Sequence, residues 1–191
     1  MNREAYTLLA AVLDYPADAL PEAVARLVKI LPEVSPETAT ALAAFERSLK
    51  SNGIPSLQEW YIRTFDFRAD SSLHIGHHLF GETGRRGVFV AELTGRYRRY
   101  GLPETEDLSD HISCVLRYLA ALEPGEEASE LIHACMIPAL SRINAVEAIK
   151  ASPYRTVLEV LPGFLRGEST CCASGELAWI PSYSSPFPIL P

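Results

Sequence analysis

The segment LQEWYIRTFDFRADSSLHIGHHLFGETGRRG, residues 57–87, carries the strongest structural signals in the chain. Its first part places Leu57, Tyr61 and Phe65 four positions apart, which is the spacing of one face of an α-helix. Asp66 follows this face directly. Because large apolar side chains avoid water, the face is predicted to be buried or to bind a partner.

Three histidines follow in the same segment. His74, His77 and His78 have a spacing that could place their imidazoles on one helix face as metal ligands. The sequence lacks an H-E-x-x-H motif, however, and Gly76 weakens the helix that would align them. Two interpretations stay open: histidines on a partly exposed turn, or a small metal-dependent helical enzyme that uses them with His111.

Two charged pairs stand at predicted helix starts. Arg85-Arg86 lies where the helix dipole disfavours cations, so these side chains are expected either in solvent or on an anion or partner carboxylate. Asp110-His111 opens the most apolar helical pattern, where an acid suits the dipole. Asp110 therefore either serves the helix end or, with His111 and exposed aromatic rings of the face above, holds an apolar helix and pairs with its arginines.

Helical periodicity predicts an all-α fold, a compact single-domain bundle of about eight or nine helices. Asn52-Gly53 is predicted to close one helix, and another, from Glu126 to about Lys150, is predicted to be bent or interrupted near Pro138. The helix after Asp110 carries the strongest apolar stripe, which comprises Leu108, Ile112, Val115, Leu116, Leu119 and Leu122.

The last part of the chain loses this periodicity. A final helix is predicted to end near Leu161, and the remaining residues contain five prolines. Residues 1–161 are therefore assigned to a helical domain, and residues 162–191 to an irregular, Pro-rich and partly disordered tail.

Composition narrows the class of protein. The 48% of hydrophobic and 21% of charged residues are typical of a soluble globular fold, and a net charge of −7 disfavours nucleic acid and favours basic partners. No nucleophile elbow or Gly-rich phosphate loop occurs. The N-terminal apolar run is too short for membrane insertion and lacks a cleavage site, so a cytoplasmic protein is expected. Cys114 and Cys135 are predicted to be buried and unpaired, while Cys171-Cys172 falls in the tail.

Three motifs together resemble a known family. They are Y-x-x-x-F-D at residues 61–66, H-x-x-G-E-T-G-R-R-G at residues 78–87 and D-L-S-D-H-I-x-x-x-L-x-Y-L at residues 107–119. In this combination the chain resembles the NarJ/TorD/DmsD superfamily of molybdoenzyme assembly chaperones, and most of all its nitrate reductase delta-subunit branch. The similarity covers residues 1–161.

The resemblance implies a cytoplasmic, non-enzymatic protein with no cofactor of its own. Its expected partner is the N-terminal segment of a molybdenum-containing catalytic (alpha) subunit, which it would hold until cofactor insertion and membrane docking or export. The residues expected to bind this peptide are Tyr61, Phe65, Asp66, Arg85, Arg86, Asp110 and His111. A monomer and a dimer both stay open, as does a plain helical adaptor that binds a folded partner.

Overall fold

The computed structural model describes residues 2–103 and 107–169, in which short connections join one helix to the next. The first half contains α1 (Arg3–Leu13), α2 (Leu20–Val34), α3 (Pro36–Tyr61), α4 (Ile75–Phe80) and α5 (Gly84–Arg99). The second half contains α6 (Ile112–Ala121), α7 (Glu126–Glu130), α8 (Ile137–Asn144), α9 (Glu147–Lys150) and α10 (Arg155–Glu168). A π-helical turn (Ile62–Asp66) continues α3, and another (Leu131–Met136) joins α7 to α8. The described residues thus form nine continuous helices, which confirms the all-α prediction.

Helix α1 lies at the centre of the bundle. It packs against α2 and along α6, while α3 packs against α2 and α10. Tyr6 of α1 is fully buried, and its ring lies 5.2 Å from that of Phe164 in α10. On the other side, α4 packs against α5 and α8. Burial of these apolar faces is the main source of stability in such a bundle.

Helix α3 contains a break at the predicted place. Gly53 has a φ of +74°, a left-handed conformation that glycine adopts without a steric penalty. Helical turns resume after it and continue to Tyr61, with Pro55 in their first turn, where no hydrogen bond is lost. Asn52-Gly53 therefore ends one straight segment, and a second straight segment carries the aromatic face toward α6.

Of the two predictions for the helix near Pro138, a bend or an interruption, the structure shows an interruption of the α-helix. Proline has no backbone N–H and its ring crowds the preceding turn, so it disturbs the helical hydrogen-bond ladder on its N-terminal side. The π-helical turn Leu131–Met136 occupies this position and absorbs the disturbance. The chain continues in helical turns from Glu126 to Asn144, with the π-helical turn between α7 and α8.

The predicted end of the last helix is wrong. Helix α10 passes through Pro162 and reaches Glu168, because Phe164 and Leu165 are buried and their packing outweighs the hydrogen bond that proline removes. The assignment of residues 162–168 to an irregular tail is therefore corrected. Residues 170–191, with Cys171-Cys172, lie outside the described residues.

Three further expectations can be compared with the structure. Cys114 and Cys135 are buried, as predicted. Leu108, which was placed on the apolar stripe of α6, precedes that helix and is 51% exposed. Within residues 2–103 and 107–169, none of the helices has the length and hydropathy needed to cross a membrane.

Candidate functional site

An antiparallel bridge joins the segment of residues 57–87 to the start of α6. His74 and His111 form the bridge, and the N–H of Ile75 donates to the carbonyl oxygen of Asp110 (2.8 Å). Beside it lies a pocket of about 140 Å³. Its wall combines aromatic and ionisable side chains, namely Tyr15, Tyr61, Phe65, Asp66, His74, Asp107 and His111. The two segments that the sequence singled out therefore meet at one site.

The aromatic face of the central segment forms the floor of this pocket. Tyr61 is only 5% exposed and Phe65 only 4%, and their rings pack edge to face at 5.0 Å. Both rings also contact Tyr154, at 5.8 and 5.3 Å, which ties them to the core. The expectation of exposed aromatic rings at these two positions is wrong, because their spacing matches a core face that the bundle buries.

The exposed aromatic rings beside this floor are two others, which the sequence patterns did not indicate. Tyr15 is 48% exposed and packs its ring against Tyr61 at 5.6 Å, at the edge of the pocket. Phe67 is 80% exposed. The π-helical turn before it causes this exposure, since the extra residue per turn rotates the chain after Phe65 away from the core. A large aromatic residue just outside the helical stripe was the only signal for it.

His111 is buried and acts as the N-cap of α6. Its Nδ1 accepts a hydrogen bond from the backbone N–H of Ser113 (3.3 Å), and its Nε2 lies 3.3 Å from the hydroxyl of Tyr61. Burial is the main cause that lowers the pKa of His111, to about 4. The ring is therefore neutral near pH 7 and donates from Nε2 to Tyr61, which in turn donates to the carbonyl of Leu13 (3.3 Å).

Asp110 does not cap the helix. Its side chain is 0% exposed, and its Oδ2 accepts a hydrogen bond from Nε of Arg86 at 2.9 Å. The side chain of Arg86 is 15% exposed and also reaches Glu82 (2.7 Å). The interpretation of Asp110 as a residue that serves the helix end is therefore wrong, since the imidazole of His111 takes that part and the carboxylate pairs with α5.

Gly76 explains how the carboxylate approaches so closely. A Cβ built on Gly76 would lie 2.6 Å from Oδ2 of Asp110 and 3.0 Å from Cδ1 of Phe89. Real Cβ atoms essentially never show the first distance, and the second is tighter than most real Cβ contacts. The glycine that weakened the predicted helix is thus the position where α4 makes room for the ion pair.

The two adjacent arginines point in different directions. Arg86 turns inward to Asp110, whereas Arg85 is exposed and its guanidinium lies over the ring of Phe80 at 5.6 Å. The dipole conflict at the start of α5 is therefore resolved for one arginine by a buried carboxylate and for the other by solvent and an aromatic ring.

A wider depression of about 420 Å³ continues from the pocket. The two share Phe65, Asp66, Ser72 and His74, and the wider one extends to Phe67 and Arg86. Of the seven residues expected to bind a peptide, four line the pocket and Arg86 lines only the wider depression. Asp110 and Arg85 line neither.

The rim of the pocket is acidic. Asp66 and Asp107 are both exposed and line the pocket from opposite segments. Burial and then the neighbouring Asp107 raise the pKa of Asp66, whereas His74 lowers it. A carboxylate whose pKa is raised by a neighbouring carboxylate is stabilised by a cation placed beside it, so the rim favours a basic side chain over an acidic one.

The three histidines of the central segment do not converge. His74 packs its ring against His111 (5.2 Å), and His77 lies 2.7 Å from Glu82. His78 is committed elsewhere, with Nε2 at 2.7 Å from the carbonyl oxygen of Ser72. The alternative of an enzyme built on a metal held by these histidines finds no support in this geometry.

One other group of possible metal ligands occurs within the described ranges. One atom each from Asp14, Asp107 and His111 lie within 4.8 Å of one another. Asp14 already pairs with Arg117, which supplies a positive charge at the same place. Grouped acids of this kind are common without an ion, so the geometry alone does not define a metal site.

Three known proteins match a part of this chain. NarJ, the nitrate reductase molybdenum cofactor assembly chaperone, of Escherichia coli strains K12 and O157:H7 is 32% identical over 126 residues, or 65% of this chain and 52% of the relative. A probable NarJ chaperone of the same description from Bacillus subtilis strain 168 is 32% identical over 69 residues, or 36% of this chain and 38% of the relative. The match thus spans about half the length of the first two relatives.

A family model also matches more than half of the chain. The model described as nitrate reductase delta subunit matches residues 31–145. This range contains the π-helical turn with the aromatic floor, the central segment and the Asp110-His111 pair, so it includes most of the pocket wall. The chain belongs to the nitrate reductase delta subunit family.

Proposed function

We propose that this protein is an assembly chaperone that binds the N-terminal segment of the catalytic subunit of a nitrate reductase-like molybdoenzyme. It holds that subunit until the molybdenum cofactor has been inserted and the enzyme docks at, or is exported across, the membrane. The observation that carries the proposal is the acidic pocket with an aromatic floor. It is formed where the motif at residues 61–66 meets the motif at residues 107–119. The names of the relatives, which describe cofactor assembly chaperones, support the same conclusion.

The surface chemistry favours a basic, amphipathic segment. Tyr15 and Phe67 present aromatic rings at the pocket and at the wider depression, so they offer apolar contacts to a helix or extended peptide. Asp66 and Asp107 offer negative charge between them. In such interfaces the apolar anchors supply most of the affinity, while the charges orient the partner and speed its association.

The buried residues of the expected site have a different part in this proposal. Tyr61, Phe65 and His111 form the floor against which a bound side chain would rest. Arg86 borders the wider depression and Arg85 lies outside both, so Arg85 is proposed to contact the flanking part of a longer segment. No catalytic step is assigned to any of them, and the protein is proposed to work in the cytoplasm without a cofactor of its own.

Calorimetric titration tests the proposal. The full chain is titrated with a synthetic peptide of the first ~25 residues of the nitrate reductase catalytic subunit encoded next to it, and with a scrambled peptide of the same composition. We expect micromolar or tighter binding of the native peptide, which corresponds to about −8 kcal/mol or better. The scrambled peptide should bind at least tenfold more weakly, because its apolar and basic residues no longer share a pattern.

A variant in the pocket locates the binding. Asp66→Asn should weaken binding of the native peptide by about 1 kcal/mol at low salt and by less at high salt, because it removes one screened charge. Glu159→Gln, which removes an exposed carboxylate from α10 far along the chain, is the matched control. Equal affinity for native and scrambled peptides, or binding only of the folded catalytic subunit, would contradict the proposal and favour a plain adaptor.

A further inference from the structure

We infer that Asp110 and Arg86 form a positioning pair for the pocket: together they hold His111 and His74 in place, and Asp110 does not itself touch the partner's basic side chains. This inference rests on the proposed function, which makes the pocket a peptide-binding site. It separates two kinds of acid in the site. One kind faces the bound segment, and the other is spent within the protein.

The first argument is access. The side chain of Asp110 is 0% exposed, and its Oδ2 is occupied by Arg86 at 2.9 Å. Its Oδ1 is also buried, without a hydrogen-bond partner among the described residues. A basic side chain of a partner would have to displace Arg86 to reach this carboxylate. That exchange would leave one arginine unpaired for each arginine bound, so it adds no favourable charge interaction.

The second argument is the backbone connection to the pocket. The backbone carbonyl oxygen of Asp110 accepts a hydrogen bond from the N–H of Ile75 (2.8 Å). On the other side of the bridge, the backbone carbonyl oxygen of Leu73 accepts a hydrogen bond from the N–H of Ile112 (2.9 Å). These two hydrogen bonds hold His74 and His111 side by side. Asp110 immediately precedes His111 in the chain, so a shift of its backbone moves the pocket floor directly.

The third argument is packing around the carboxylate. A Cβ at Gly76 would lie 2.6 Å from Oδ2 of Asp110 and 3.3 Å from Cγ of Arg86. Both members of the pair therefore pack against the backbone of α4 with no spare space. Because packed interiors do not deform continuously, the pair sets the distance between α4, α5 and the start of α6.

Arg86 extends this arrangement to the surface. Its Nη1 lies 2.7 Å from Oε1 of Glu82, and the same oxygen lies 2.7 Å from Nδ1 of His77. Arg86 also borders the wider depression, together with Asp66 and His74. It thus connects the buried carboxylate to the surface that the partner would cover, where Asp66 is the exposed carboxylate that faces a basic side chain.

Paired peptides test the inference with a readout that stability alone does not change. The full chain is titrated with the native N-terminal peptide described above, and with the same peptide carrying glutamine at every lysine and arginine. Titrations are run well below the thermal midpoint of each variant. The Kd of the glutamine peptide divided by the Kd of the native peptide measures how well the site recognises the peptide's charge.

For Asp110→Asn, we expect both Kd values to rise by the same factor, about tenfold, with their ratio unchanged. The matched variant Asp66→Asn should raise only the Kd of the native peptide and lower the ratio. A loss confined to the native peptide in Asp110→Asn would overturn the inference, since it would show that Asp110 recognises charge. So would wild-type Kd values for both peptides, since they would show that the pair affects stability alone.

The other member of the pair keeps the inference testable if Asp110→Asn does not fold. Arg86→Met should weaken both peptides equally, and Arg86→Lys should recover part of the loss because it restores the charge. The double variant Asp110→Asn with Arg86→Met should bind no more weakly than the worse single variant, because the two residues act as a unit. Additive losses would overturn the inference. If the wild-type chain binds neither peptide, the proposed function itself fails.

Discussion

The closed and open sides of the pocket come from the same stretches of chain but have opposite chemistry. On the closed side, Arg86 and Asp110 satisfy each other's charge inside the protein, packed against Gly76. On the open side, Asp66 ends a π-helical turn and Phe67 follows it, and both side chains are exposed. Each side contains one aspartate of the family motifs, Asp110 on the closed side and Asp66 on the open side.

This difference shows that the two segments that meet at the pocket provide both a rigid frame and a binding surface. A buried ion pair contributes little net stability compared with apolar packing, but the loss of one partner is costly. Such a pair therefore suits a frame whose geometry must not vary. An exposed ring and an exposed carboxylate cost little to change, and this suits a surface whose specificity depends on its partner.

Breaking the closed side should have the largest effect on stability. We expect Asp110→Ala to lower the free energy of unfolding by about 3–5 kcal/mol, because Arg86 is then left mostly buried without its partner. Urea unfolding monitored by circular dichroism measures the change. The control Glu159→Ala removes an exposed pair with Arg155 and should cost less than about 1 kcal/mol. Equal losses in the two variants would contradict the buried pair.

Acid should weaken the same side through His111. The folded protein keeps this ring neutral, with a pKa of about 4, whereas the unfolded chain binds a proton near pH 6.5. The stability that depends on the neutral ring is therefore complete above about pH 6.5 and is lost as the pH falls toward 4, by up to about 3 kcal/mol. Urea unfolding at pH 7, 6 and 5 should show a steeper loss in the wild type than in His111→Gln. Parallel losses would contradict the assignment.

Gly76→Ala tests the packing of the closed side by its sign. In an ordinary helix, replacing glycine with alanine stabilises by up to about 1 kcal/mol. At Gly76 the added Cβ would collide with Asp110 and Phe89, so we expect a loss of about 1–3 kcal/mol instead. Gly87→Ala in α5, where a Cβ meets nothing within 4 Å, is the matched control and should be stabilising. Thermal unfolding of both variants gives the comparison, and a stabilised Gly76→Ala would refute the close approach.

The open side should respond in affinity and hardly in stability. Phe67→Ala should change the free energy of unfolding by less than about 0.5 kcal/mol, since the ring is 80% exposed. We expect the same variant to weaken binding of the native peptide about tenfold, because it removes an apolar anchor. Tyr100→Ala removes an exposed ring outside both depressions and should leave the affinity unchanged. Equal effects of the two variants on affinity would place the partner elsewhere.

Several parts of this structure could be predicted from local patterns. Helical periodicity predicts the bundle, and Gly53 predicts the break in α3. Pro138 predicts the interruption of the helical turns between α7 and α8. These features depend on neighbours a few residues apart along the chain, so the sequence shows them directly. The end of α10 was missed because a proline is a local signal, whereas the burial of Phe164 and Leu165 depends on helices distant in sequence.

The candidate site was only partly predictable. Tyr61, Phe65, Asp66 and His111 do come together at one pocket, as the family resemblance implied. Phe67 and Tyr15 were missed because exposure is a property of the packed bundle and has no signature in spacing. The true partner of Asp110 lies in α5, and no pattern within one helix could identify it.

The helical class, the break at Gly53, the interruption near Pro138 and the family can all be read from the amino-acid sequence, because they follow from residue type and short-range spacing. Tertiary contacts, in contrast, set which charged side chains are buried in ion pairs and which are exposed. Asp66 and Asp110 are chemically identical side chains, and the difference between them is the distance to Arg86 and the burial around it. Such electrostatic roles depend on contacts between segments far apart in the chain, and folding alone creates those contacts.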